Sequence, residues 1–381
     1  MQWLCQEIYR AIALVMTLSK SDKKIEFMIV KNHLGEYISS DFFQSYLMMT
    51  SLIGSVSKVR SLWNRSPSET ISIQPIQTRP SSINGVGNLR AIAALGEKIA
   101  WVGGTEGKIA KTEDGGATWT LCSLPYEKDL DVRALSLMNP KVACAMCAGP
   151  GDKKLSRIYR TVDGGRGWNL VLCPDMKGVF FNAMVFWNDR QGIVLSDPVG
   201  SRFALFRTEN GGETWERIIP IEMPFAMPGE NAFAASNSSL AVQGKENVWF
   251  ATGGGASARV FYSCDGGRSW GVAATPMKIN SVSAGIFSLA FLNEKLGIAV
   301  GGDHKLKTSF PSPNILITRD GGRNWEIFHD EDLSGKYLSS VAWRSEDSVK
   351  VVDGSKEIFN AVAFSETTGW AVGPNQAWAK I

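Results

Sequence analysis

Histidine is scarce in this chain, at 3 of 381 residues, and neither sign of charge prevails: 40 Lys and Arg stand against 37 Asp and Glu, a formal net charge of +3. No long basic run interrupts that balance, so the sequence offers no electrostatic footprint for nucleic acid. No Gly-x-Gly-x-x-Gly follows a strand and opens a helix, and neither a phosphate-binding P-loop nor a Gly-x-Ser-x-Gly elbow occurs, so no cofactor is expected. His33, His304 and His329 have no companions at metal-ligand spacing, and no metal is expected either. The apolar stretch Ile8 to Leu18 is broken by Arg10 and falls far short of the roughly 20 residues that span a bilayer. Cysteines number six (Cys5, Cys122, Cys144, Cys147, Cys173 and Cys264). Cys144 and Cys147 form a lone Cys-x-x-Cys in an apolar run. On a strand, residues three apart face opposite sides, which predicts buried thiols rather than a ligand or redox pair.

What the chain does have is glycine, 38 residues, and tryptophan, 13. Both recur in one pattern: TEDGGATW at Thr112 to Trp119, TVDGGRGW at Thr161 to Trp168, TENGGETW at Thr208 to Trp215, SCDGGRSW at Ser263 to Trp270 and TRDGGRNW at Thr318 to Trp325. Starts 49, 47, 55 and 55 residues apart match the length of a four-stranded propeller blade. The chemistry of the pattern is that of a turn. Asp114, Asp163, Asn210, Asp265 and Asp320 each place a side-chain oxygen where backbone N–H groups of the turn can donate to it. The paired glycines supply backbone angles that a β-carbon penalises. Trp119, Trp168, Trp215, Trp270 and Trp325 then drive an indole into the core. Asn at position 210 indicates that the turn needs an acceptor, not a charge.

Strand patterns precede each turn. Inner strands are predicted at Leu89 to Leu95, Val132 to Leu137, Phe181 to Phe186, Ile286 to Phe291, Ser339 to Trp343 and Ile358 to Phe364, with Phe233 to Val242 as the weakest candidate for the fourth blade. The count predicts an all-β propeller of four-stranded antiparallel blades: seven, with the sixth truncated, or six if that short unit is no blade. Ile71 to Ile76 is expected to close the last blade, removing a free edge. Residues 68–381 are read as the propeller and residues 1–67 as a partly helical extension. Within it, Phe42, Tyr46, Met49, Ile53, Val56, Val59 and Trp63 give Asp41 to Trp63 the period of an amphipathic helix. Lys58 and Arg60 give that helix a weak case for membrane association. Residues 1–18 leave localisation open between cytoplasm and a secreted or organelle-lumen setting.

The five turns resemble the Asp-box (BNR) repeat family, whose pattern is Ser/Thr-x-Asp-x-Gly-x-x-Trp, and the resemblance covers about Ile71 to Ile381. Segments such as WVGG and GWAVG look most like the photosystem II assembly and stability factors. LSDPVG, FAASNSSLAVQG and SAGIFSLAF resemble an uncharacterised group labelled oxidoreductase. The family also holds sialidases, endo-glucanases and sortilin-type receptors, so the resemblance implies a fold and leaves activity open.

A sialidase needs an arginine cluster and a Tyr–Glu pair, and neither is legible among seven tyrosines. An endo-glucanase needs two facing carboxylates. Asp197 and Asp303, each after a second strand, are the candidates. Loop residues on the face opposite the repeated turns are candidates for binding: Glu106, Asp197, Arg202, Asp303, His304 and Lys305. The reading is therefore a monomeric, non-enzymatic scaffold that recognises a protein or a glycan through that face. The alternative is a glycoside hydrolase using the two carboxylates.

Overall fold

The computed structural model describes residues 71–125, 128–220, 222–279, 281–365 and 368–381. The predicted helix at 41–63, the stretch at 1–18 considered for targeting and Cys5 lie outside the described residues. Thr70–Ile381 forms one compact unit.

That unit is a seven-bladed β-propeller. Five antiparallel four-stranded sheets follow one another along the chain, beginning with inner strands Leu89–Leu95, Val132–Leu137, Phe181–Phe186, Leu240–Gln243 and Ala284–Phe291. The sixth sheet has three strands, Leu338–Ser345, Ser348–Asp353 and Ser72–Pro75; the seventh has Ala361–Ser365, Thr368–Val372, Ala377–Lys380 and Ser81–Ser82. Neighbouring inner strands pack side by side around the ring, and the seventh returns to the first.

Closure differs from the expectation for Ile71 to Ile76. Ser72–Pro75 does not complete the last blade. It pairs in parallel with Ser348–Asp353 as the third strand of the sixth. The reason lies in its alternation: Ile71 and Ile73 enter an apolar cluster with Ile298, Ile315, Val349 and Val351. The last blade lacks only an outer strand, which Ser81–Ser82 provides by pairing with Trp378 and Ala377. Ile83 and Val86 then join Leu89, Val102, Ala361 and Trp370 in the core between the seventh and first blades. The short sixth unit is thus a real blade, completed by a strand that precedes the first blade in the chain.

The five repeated turns adopt the inferred geometry. In each, the Ser or Thr hydroxyl accepts from the second glycine's N–H at 2.9 to 3.0 Å and donates to the Asp or Asn side chain at 2.7 to 2.9 Å. Both glycines have positive φ in every copy. The third, fourth and fifth turns also accept a hydrogen bond from the blade before them. Arg160 donates to Gly211 O at 2.9 Å, Arg207 to Gly266 O at 2.8 Å and the Trp249 indole to Gly321 O at 2.8 Å. The indoles seal the joints: Trp168 meets Trp101 edge-on, and Trp119 meets Trp370 and Trp378 across the closure.

Cys144 and Cys147 lie on opposite faces of Ala143–Cys147, one in the core shared with the third blade and one in that shared with the first. Both are fully buried and free. Burial pushes the Cys144 thiol up to about 12, so it is inert as a nucleophile.

Candidate functional site

Antiparallel alternation puts the repeated turns on one rim and the second-to-third-strand loops on the other. On that loop rim the inner strands begin, and five of them are irregular near their start. The register of pairing with the second strand slips at Arg90, Arg133, Asn182, Phe287 and Ser339. A bulge of this kind leaves one residue outside the ladder and re-aims its side chain. The ring therefore presents a circle of irregular positions at its axial mouth, and their side chains meet one another's surroundings.

Arg133 is gripped by Asp131, whose Oδ2 accepts from Nε and from a terminal nitrogen at 2.7 Å each. Arg133 also donates to the Ala234 carbonyl. Arg90 has its acidity raised by burial and by the nearby Arg133 charge, with Asp131 and Tyr337 acting in the opposite sense. Burial raises the Tyr337 phenol above its ordinary range, against the pull of the same two arginines. Beside them Phe233 and Phe287 stack at 4.0 Å and 10°. Tyr337 meets Phe287 edge-on at 4.8 Å, and His304 lies 5.9 Å from Phe287 and 6.4 Å from Tyr337. The mouth thus joins a cationic side to an aromatic one.

The floor of this mouth is a chain segment. Phe233 to Val242 was expected as the fourth inner strand, but only Leu240–Gln243 forms it. The residues before it run across the axis. Ser236 donates to Ser339 O in the sixth blade at 2.9 Å. Asn237 accepts from Met184 N–H and donates to Met184 O in the third, at 2.8 and 3.0 Å. Ser238 accepts from Ser288 in the fifth at 2.6 Å, and its carbonyl accepts from Leu289 N–H at 2.8 Å. Only a segment lying over the centre reaches second, third, fifth and sixth blades at once. Each of these bonds contributes about 0.5–1.5 kcal/mol net, so together they hold the plug firmly. Asn237 adopts φ 62°, a left-handed conformation that Asn tolerates better than most residues.

The plug's base is anchored by a buried ion pair that sequence reasoning missed. Glu230 accepts from Thr252 Oγ1 at 2.6 Å, from Arg259 Nε at 2.9 Å and from Met227 N–H at 2.8 Å, and pairs with a second Arg259 nitrogen. Every lone-pair direction it needs is met, which is what a buried carboxylate requires.

The six candidates from sequence fall on the loops of that rim, in the first, third and fifth blades. Glu106 is exposed in the first blade's loop, at φ 62°. Asp197 lies within Gly192–Val199; its Oδ1 accepts from Asn182 Nδ2 at 2.8 Å and Ala232 N–H at 3.2 Å. Burial pushes its carboxyl up to about 6 in spite of those two donors. Arg202 donates to Met223 O at 3.1 Å and covers the Phe225 ring. Asp303 is buried and caps its own loop, accepting from Lys305 N–H at 2.8 Å and Leu306 N–H at 3.3 Å. Burial opposes its ionisation, but those N–H groups and the Ser283 and Ser281 hydroxyls outweigh it and hold the carboxyl below its ordinary range. Lys305 is exposed on that loop. His304 alone joins the aromatic cluster, its Nδ1 3.0 Å from Ser283 O. Asp197 and Asp303 share no hydrogen-bond partner: one steadies the plug's entry, the other a loop.

A sequence signal for the missed residues did exist. Leu-Arg-Ala, Val-Arg-Ala and Phe-Asn-Ala put a polar residue at the same place in three inner strands that are otherwise apolar but for Ser136. Two hollows on the opposite rim, of about 630 and 620 Å³, are lined by turn residues such as Thr208, Asn210 and Arg268, or Asp114, Thr118 and Arg166. They repeat between successive blades and gather no comparable mix of groups.

No protein-family profile and no curated protein matches this chain. Among solved structures it is similar to YCF48 bound to a D1 peptide, at 15% identity over 81% of this chain and 99% of that one, with a TM-score of 0.40. It is also similar to YCF48 from Cyanidioschyzon merolae, at 15% identity over 80% and 98%, TM-score 0.45. A GH74 xyloglucanase from Xanthomonas campestris aligns at 14% identity over 76% of this chain and 57% of its own, TM-score 0.37. Likenesses this distant bear on neither ligand nor activity.

Proposed function

We propose that this propeller is a non-enzymatic binding scaffold that recognises a protein segment at the plugged mouth of its loop face. On this reading the five repeated turns are Asp-boxes with a purely structural role, locking each blade to the one before. The observation that carries the proposal is the plug. By closing the axis with hydrogen-bonded backbone, it turns a channel into a floored depression with arginines on one side and aromatics on the other. Such a pairing suits an extended peptide, which offers carbonyl and carboxylate acceptors together with apolar side chains.

The hydrolytic alternative draws less support. Two-carboxylate chemistry needs one carboxyl held protonated and a second facing it. Asp197 has the raised affinity for a proton, but Asp303 spends its oxygens on its own loop. The test is partner capture by the full chain under gentle conditions, compared between two double variants. His304→Ala with Lys305→Ala should lose the partner, whereas Arg166→Ala with Arg268→Ala on the opposite rim should keep it. Equal retention by both, or turnover of a glycan panel by the unmodified protein, overturns the proposal.

A further inference from the structure

Two buried polar atoms at the mouth have no hydrogen-bond partner: Arg90 Nε and Asp131 Oδ1. They are left over for different reasons. Asp131 commits its other oxygen twice to Arg133, and Arg133 is satisfied by Asp131 and the Ala234 carbonyl. Arg90 sits at the neighbouring irregular position, makes no hydrogen bond and has no ion-pair partner among the described residues. The three groups therefore carry one uncompensated positive charge, two guanidiniums against one carboxylate. A buried donor and a buried acceptor left open together cost about 1–3 kcal/mol each unless something fills them. A water can bridge two such atoms, but it cannot cancel the charge.

Resting on the reading of the mouth as a peptide site, we propose that Arg90 and Asp131 form a subsite for a peptide residue that carries a carboxylate close to a backbone N–H. The carboxylate lies along the Arg90 guanidinium, which binds such a planar anion in two-point fashion. The N–H of the same residue donates to Asp131 Oδ1. Asp131 at once excludes simple multivalent anions, because their remaining oxygens would face its own. Phe233 and Tyr337, backed by the buried Phe287, supply an apolar wall for a neighbouring side chain. A chain-terminal residue and an internal acidic residue both offer this chemistry, and the experiment separates them.

The probes are small compounds titrated by ligand-observed NMR against the full chain. N-acetylphenylalanine presents the N–H, a terminal carboxylate and a ring; N-acetylphenylalaninamide lacks only the charge; the N-methylated acid lacks only the N–H. The α-amide of N-acetylaspartic acid presents the carboxylate on a side chain instead. The acid that matches is expected to bind in the millimolar range, and its carboxamide about tenfold more weakly. Arg90→Met should erase that preference, and Asp131→Ala, which removes the acceptor, should erase the penalty for N-methylation, in variants whose circular dichroism shows the native fold. If Arg90→Met does not fold, the Asp131→Ala comparison still decides. Equal binding of acid and amide, a preference untouched by both substitutions, or stronger binding of N-acetylneuraminic acid than of either amino-acid probe overturns the subsite. A protein partner retained equally by the native chain and by Arg90→Met would also sink the subsite while leaving the platform standing; loss of the partner only on the opposite rim would sink the platform.

Discussion

Asn210 donates from Nδ2 to the Thr214 hydroxyl at 2.9 Å, the reverse of the first turn, where Asp114 Oδ2 accepts from Thr118 Oγ1 at 2.6 Å. A rotating hydroxyl serves either polarity. A neutral acceptor can therefore close the turn as well, and what every turn needs is the buried hydroxyl that opens it. Thr208 is 2% exposed and accepts from both Gly212 and Asn210 N–H groups. Thr208→Val should destabilise the protein by about 1–3 kcal/mol, because it strands the buried Gly212 donor. Thr208→Ser should cost well under half as much. Urea unfolding of both variants checks the ordering.

The second glycine of a turn is constrained by its neighbour blade as well as by its own φ. A β-carbon on Gly165 would lie 2.9 Å from Cys122 Cβ and 3.0 Å from the Trp101 ring, at φ 82°. Gly165→Ala should therefore cost more than about 2 kcal/mol, combining left-handed strain with overpacking. Gly200, also at positive φ but with open space around it, isolates the strain alone. Gly200→Ala should cost about 1 kcal/mol. Equal losses in the two variants would mean that the turn does not press on the blade before it.

Asp197 makes a prediction about pH whose sign is opposite to that of the turn carboxyls. Its folded carboxyl titrates at about 6, above the roughly 3.9 of an unfolded chain. The folded state thus holds the proton more tightly. Its contribution is full below about pH 4 and is lost as pH rises through about 6. Asp197→Asn keeps an acceptor for the Ala232 N–H and removes the cost of ionising there. It should raise the melting temperature near pH 7 and leave it unchanged near pH 4. The turn carboxyls, such as Asp114 at about 2, instead stabilise above the unfolded value and lose that contribution as pH falls.

The ring was legible because its repeats are local. A hydroxyl, an acceptor, two glycines and an indole lie within eight residues, and the chemistry of each turn is complete there. Leu89 to Leu95 and Phe181 to Phe186 could be read for the same reason, as apolar runs of strand length. What escaped depends on partners far along the chain. Phe233 to Ser239 has the residues of a strand opening, and only the hydroxyls and carbonyls of Ser288, Ser339 and Met184 draw it across the axis. Ile73 carries the alternation of a closing strand but nothing that says which of two incomplete blades it closes. Arg90 and Arg133 were overlooked because a polar residue in an apolar strand looks like an outward-facing one, until a register slip turns it to the mouth.

The loop-face account is tested most directly by hydrogen exchange on the full chain, with and without a captured partner. The account predicts added protection at 131–133, 233–238, 287 and 304–306, with the turn rim at 113–118 and 163–167 unchanged. Protection confined to that turn rim, with no change at the mouth, would contradict it.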